Sequence, residues 1–287
     1  MSAAAARVVF HQRTWAAGGA GAAAARGAAV APEAAATLLV VHGLSEHSGR
    51  YAGLAATATE AGFTVAAVDL YGHGESPGRR GHIRGFDVDH LAAVDQLVRR
   101  VERDTPDSPL FLVGHSLGGL VALRWVQSRV FARRLRGLVL ISPFIENRLP
   151  VPAWKLLLAR LLDRLAPGLT LATGIADEDV FRDPAARADF AVDPLVQRRI
   201  SARHWAELTR ERQRLWEGAE ELTLPTLMLL AGEDRIIGND AARKLADRLP
   251  ACAVIEYPGA FHALHHDPVG PAMTRDLLAW VRARLAA

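Results

Sequence analysis

From residue 37 onward the chain alternates short, nearly uninterrupted apolar runs with longer stretches of helical period. The runs are TLLVVHG (37–43), FTVAAVDLYGHG (63–74), PLFLVGHS (109–116), LRGLVLISP (135–143), PTLMLLAGED (225–234) and AVIEYPGAFH (253–262). Runs of valine and leucine without polar alternation suit strands covered on both faces. The stretches at 50–61, 86–104, 117–130, 239–249 and 269–286 read as helices. Strand and helix therefore alternate as in an α/β fold, with a mostly parallel central sheet flanked by helices.

The alternation lapses between residues 144 and 222, so a helical insertion splits a core made of 1–143 and 223–287. Inside the insertion, Trp154, Leu157, Leu158, Leu161, Leu162 and Leu165 share one helical face, with Lys155, Arg160, Asp163 and Arg164 off it. Two readings of this amphipathic helix, 152–166, stand side by side: its apolar face packs down on the sheet, or it faces lipid.

Composition narrows the partners. The 34 basic and 31 acidic residues leave a net charge of +3 and no long basic block, which argues against a nucleic-acid partner. Cys252 is the single cysteine, so no intrachain disulfide or clustered thiolate metal site forms, and a reducing compartment is permitted. Arg7 is followed by no leucine-rich core of a signal peptide, and no apolar stretch approaches the length of a membrane span. The expectation is a soluble, cytoplasmic protein. Residues 16–36 are nearly all Ala and Gly, and Pro32 and the glycines favour a loop there.

Ligand chemistry in an open parallel sheet gathers beyond the carboxyl ends of the strands. Here those ends carry His42-Gly43, Asp69, His115-Ser116, Asp234 and His262. By average residue usage a bare G-x-S-x-G arises by chance about 0.1 times in a chain of this length, so its context matters. Gly114-His-Ser116-Leu-Gly118 follows a strand and opens a helix, the setting of a nucleophile on a strained turn. Serine hydrolysis of an acyl group then needs a base, a carboxylate to orient it and donors for the oxyanion.

Chain order supplies them. Asp234 ends the next available strand and is the expected acid, with Glu233 its rival. His262 follows the last strand and is the expected base, with His265, His266 and His42 competing. Leu117, just after the serine at a helix N-terminus, and Leu44, beyond His42-Gly43, are the expected oxyanion donors through their backbone N–H groups. His42 is expected to brace its loop.

Taken together, VHGLSEHSGRY (41–51), DLYGHGESPGRRG (69–81), GHSLGG (114–119), DPLV (193–196) and GAFHALHHD (259–267) resemble the monoacylglycerol lipase branch of the α/β-hydrolase superfamily. The resemblance runs from about residue 8 to the C-terminus. It implies an α/β-hydrolase fold with a helical cap inserted after the sixth strand, and a substrate that is a lipid ester with one acyl chain. Carried over by position, it gives the same triad of Ser116, Asp234 and His262 and the same donors, Leu44 and Leu117. It further implies that Glu46, Arg50, His115 and His265 surround a glycerol head at the polar end of the pocket. The helix at 152–166 would border the acyl entrance and make transient contact with a membrane surface.

The expectation is a monoacylglycerol ester hydrolase working through an acyl-enzyme and needing neither metal nor organic cofactor. A lysophospholipase or general carboxylesterase would share these residues and differ in the pocket. A non-catalytic binding protein on the same fold is disfavoured because no triad member is missing. A carboxylate-nucleophile dehalogenase or epoxide hydrolase is excluded by Ser116 itself.

Overall fold

The computed structural model describes residues 8–18, 25–26, 34–129, 134–148, 151 and 153–286. Strands β1 (Gln12–Trp15) and β2 (Ala25–Arg26) precede β3 (Thr37–Val41), α1 (Ala52–Glu60), β4 (Thr64–Val68), α2 (Ala92–Asp104), β5 (Leu110–His115), α3 (Leu117–Ser128) and β6 (Leu135–Ile141). Next come α4 (Ala153–Leu165), β7 (Thr170–Ala172), α5 (Asp177–Val180), α6 (Pro184–Val192), β8 (Arg199–Ser201) and α7 (Ala202–Arg214). The chain continues through β9 (Thr226–Ala231), α8 (Asn239–Arg248), β10 (Cys252–Tyr257) and α9 (Gly270–Leu285).

The main sheet takes the order β10-β9-β6-β5-β3-β4-β1-β2. Every pair from β10 to β4 is parallel, while β1 runs antiparallel to β4 and β2. The six apolar runs are the parallel strands, each trimmed at its reactive tail. Strand β1 was not expected, because QRTW is half polar and only half buried. Most of the Ala- and Gly-rich stretch at 16–36 lies outside the described residues, as do Arg7 and Pro152.

Alternate side chains of each strand feed opposite faces. Leu39, Val41, Leu112, Leu140 and Met228 pack with α2, α3 and α8, while Leu38, Val40, Val113, Val139 and Leu229 pack with α1 and α9. Full burial of such a side chain contributes about 1.5–3 kcal/mol, so the two layers fix the strands firmly. Register does the rest: Val41 pairs with Val68 and Gly114, and His115 pairs with Ile141, so the strand tails emerge along one edge.

Between β6 and β9 stand α4 to α7 and the small antiparallel sheet β7-β8. The α4 leucines do not pack down on the main sheet, the first of the two readings. Trp154, Leu157, Leu158, Leu161 and Leu165 are exposed, whereas Leu162, expected on the same face, is half-buried, as are Leu156, Ala159 and Asp163, which border a groove shared with Trp205 and Thr209 of α7. Among the described residues no helix is long and apolar enough to cross a membrane.

Candidate active site

Ser116 joins β5 to α3 at φ 51° and ψ −115°, a conformation that L-residues with a side chain rarely adopt. The flanking glycines explain how it is tolerated. An added Cβ at Gly114 would overlap the Gly118 carbonyl, and one at Gly118 would overlap the Val41 carbonyl. A serine at a helix start usually caps the helix with its hydroxyl. Here the hydroxyl makes no such bond and lies 2.9 Å from Nε2 of His262.

The other face of the His262 ring meets a carboxylate. Nδ1 donates to Oδ2 of Asp234 at 2.7 Å, while Oδ1 of Asp234 accepts from the N–H groups of Ile236 and Ile237 at 2.8 Å. Burial alone would raise the Asp234 carboxyl, but His262 and the two backbone donors outweigh it and hold the carboxyl below its usual range. Arg148 also donates to the Asp234 carbonyl. Glu233 is exposed and turned away from this chain of bonds.

Leu117 begins α3, where the first N–H groups have no partner within the helix, and Leu44 lines the cavity above Ser116. The loop that carries Leu44 is braced from beneath. His42 donates from Nδ1 to the Gly43 carbonyl at 2.7 Å and accepts from Leu70 N–H at Nε2, 2.9 Å away, the structural role expected of it. Asp69 accepts from the N–H groups of Ser48 and Glu75, so it ties loops together and does not face the serine.

The four residues expected around a polar head separate into two pairs. Glu46 and His115 line the cavity with Ser116 and His262, whereas Arg50 and His265 are not among its lining residues. Oε2 of Glu46 accepts from Gly43 N–H, the Tyr51 hydroxyl and Nδ1 of His115, each at 2.9 Å. Burial pushes the Glu46 carboxyl up, and its pairing with His115 outweighs it, so the carboxyl is held well below its usual range and stays ionised. Burial drives His265 down to about 4 and His266 to about 2, so both rings are neutral near pH 7. Arg50 lies against Asp193 at 3.5 Å and over the rings of Phe181 and Phe190. Tyr51 stands in the GRY of the quoted motif, yet its bond to Glu46 had no signal in spacing.

A second buried histidine group lies behind the site. His73 donates from Nδ1 to the Tyr71 carbonyl at 2.9 Å and accepts at Nε2 from Gln197 at 3.1 Å. Nδ1 of His204 lies 3.4 Å from the Gly81 carbonyl, which makes its Nε2 the acceptor of the 3.0 Å bond from Nε2 of His90. With His42 this gives four neutral rings with assigned protons, and desolvation lowers the pKa of each. Gln197 and His204 belong to the insertion, so the group joins it to the core.

The cavity over Ser116 has apolar walls from Ile175, Val180, Phe181, Phe190 and Ile236, most of them from the insertion. The arrangement can activate a hydroxyl next to an apolar chain.

Comparison with known proteins fits that chemistry. The protein family described as serine aminopeptidase, S33 matches residues 32–269. Mouse monoglyceride lipase is 33% identical over 259 residues, covering 88% of this chain and 84% of that protein. Phospholipase YtpA of Bacillus subtilis is 30% identical over 81% of this chain and 90% of its own length. This chain spans only 26% of a longer Dictyostelium discoideum abhydrolase domain-containing protein, at 28% identity. Among solved structures, the Paleococcus ferrophilus monoacylglycerol lipase superposes with a TM-score of 0.83 at 30% identity, over 96% of this chain and 99% of that one.

Proposed function

The chain belongs to the family described as serine aminopeptidase, S33, with the α/β-hydrolase fold, and on that premise we propose that it hydrolyses monoacylglycerols to fatty acid and glycerol. The observation that carries this reading is the unbroken hydrogen-bond chain from Asp234 through His262 to Ser116 beneath apolar walls. His262 removes the Ser116 proton as Oγ attacks the ester carbonyl, and Asp234 stabilises the imidazolium. The N–H groups of Leu44 and Leu117 receive the oxyanion. Collapse expels glycerol with the proton from His262, leaving an acyl-serine. Water, deprotonated by the same ring, then releases the fatty acid.

Residues 144–222 act as the cap of this enzyme, with 1–143 and 223–287 as its catalytic core. Glu46 and His115 offer the cavity's polar end, and Arg50 and His265 support them from behind. The exposed α4 leucines rest on a lipid surface as those of a peripheral protein, and the single cysteine fits a cytoplasmic location.

One rival has an observation in its favour. The likeness to a phospholipase admits lysophospholipids, which share the single acyl chain. Release rates from a monoacylglycerol and a lysophosphatidylcholine of equal chain length decide between them. The monoacylglycerol is expected to be the faster substrate; equal or reversed preference overturns the choice of head group.

A further inference from the structure

The Glu46 carboxylate accepts its three hydrogen bonds through Oε2. Oε1 faces Nε2 of His265 at 3.3 Å, without the alignment of a hydrogen bond. The His265 side chain is 1% exposed, and neither of its ring nitrogens has a hydrogen-bond partner. Nε2 of His266 is buried without one too, and the two rings lie 4.3 Å apart. Burying an imidazole nitrogen without a partner is unfavourable, and each neutral ring has one lone-pair nitrogen that a ligand could take.

We propose that Glu46, His265 and His266 form a divalent-cation site whose occupation by zinc slows the hydrolase. One carboxylate and two imidazoles, with a fourth position left open, are a donor set that zinc takes readily. One ligand atom from each residue lies within 4.8 Å of the other two. Zinc bonds of about 2.0–2.1 Å place tetrahedral ligands roughly 3.3–3.4 Å apart, so side-chain rotation has to draw the outermost pair inward. The 3-10 turn Leu264–His266 holds both histidines, and Tyr51 stacks on His265 with ring centroids 4.5 Å apart. Asp267 does not compete for the ion, since its oxygens accept from Arg182, Phe261 N–H and Val269 N–H. Arg50 places a positive charge nearby, which opposes binding of the cation.

The link to catalysis runs through Glu46. A cation on Oε1 withdraws charge from Oε2 and weakens the bond holding Gly43 N–H, loosening the loop that carries Leu44. The expected signature is a fall in kcat with little change in KM, reversed by a chelator.

The test titrates the full chain with zinc chloride by calorimetry, records the visible bands of cobalt(II) added in its place, and repeats both on His266→Gln. One equivalent of zinc should bind, and cobalt(II) should show the intense bands of a tetrahedral ion. The variant should keep its metal-free rate within about twofold while zinc affinity and zinc inhibition both drop on the order of 10–100-fold. No stoichiometric binding overturns the site, as does a variant that binds and responds like the wild type, because the ion then sits elsewhere. If His266→Gln unfolds, His266→Asn replaces it, and weak octahedral cobalt bands in the wild type overturn the site independently. Calorimetry and spectra do not depend on which ester is cleaved, so failure here is distinct from failure of the monoacylglycerol reading.

Discussion

In the sheet, Leu38, Leu39, Leu112 and Leu140 are wholly covered; on α4, Leu157, Leu161 and Leu165 stand 67%, 52% and 74% exposed. The residue type is the same and its physical effect differs. A covered leucine contributes about 2–3 kcal/mol to folding, while one left mostly in water contributes a small fraction of that. The sheet uses its leucines to hold catalytic groups within hydrogen-bond distance, whereas α4 leaves Leu157, Leu161 and Leu165 largely uncovered. Stability and geometry belong to the sheet, and the lipid contact proposed above belongs to α4.

The largest effect that would sharpen this contrast lies in the core. Ser116→Ala should lower kcat at least about 10⁴-fold with the fold intact by circular dichroism, since only an oxygen is removed. Asp234→Asn should cost about 10³-fold or more and Glu233→Gln less than about twofold; the opposite ranking would move the acid by one position. Fluorophosphonate labelling of Ser116 checks the nucleophile directly. Near-normal activity in the alanine variant would remove the mechanism.

Next in size is a backbone effect. Gly118→Ala drives a Cβ into the Val41 carbonyl, so chemical denaturation should show a loss of about 3 kcal/mol or more, or no soluble protein. Stability within about 0.5 kcal/mol of wild type would mean that the turn relaxes more easily than its packing implies.

The join between the regions is weaker and depends on pH. His204 titrates near pH 4 in the fold because burial disfavours its charge, against an ordinary 6.5 when unfolded. The unfolded chain therefore binds the extra proton first. This stabilisation is complete above pH 6.5 and drains away as the pH falls toward 4. Its size is on the order of 2–3 kcal/mol by linkage. His204→Leu should flatten the acid limb of a melting-temperature profile between those limits; an unchanged slope would clear this ring of the role.

The smallest expected change in stability comes from α4. Leu157→Asp with Leu161→Asp should alter unfolding by less than about 0.5 kcal/mol per site, because both side chains are exposed. Co-sedimentation with phospholipid vesicles should nevertheless fall sharply, with hydrolysis of a short soluble ester kept. A large loss of stability, or unchanged sedimentation, would break the contrast between the two regions.

What could be read from the sequence follows from how local each signal is. The parallel strands announce themselves because double-sided burial demands continuous apolar residues, and the serine turn because its glycines stand two residues either side. Asp234 and His262 were legible through chain order. Glu46 was harder: the partners of its Oε2 come from the loop after β3 and from β5, so position alone names the residue without its bonds. The α4 pattern shows that two faces differ and carries no sign of which one points outward; α7 decides that. Strand β1 needs only half-buried polar residues at an edge, and such a segment looks like a loop.

The glycines at 114 and 118 have a consequence for how such an enzyme diversifies. Since neither position accepts even one added carbon, the nucleophile cannot be re-aimed by stepwise substitution beside it. Ile175, Val180, Phe181 and Phe190 line the cavity over the same serine from segments outside that turn. Substitutions there leave the backbone of the serine turn untouched. A library randomised at those four wall positions should shift acyl-chain preference in many clones that remain active, whereas one randomised around the serine should be almost entirely inert.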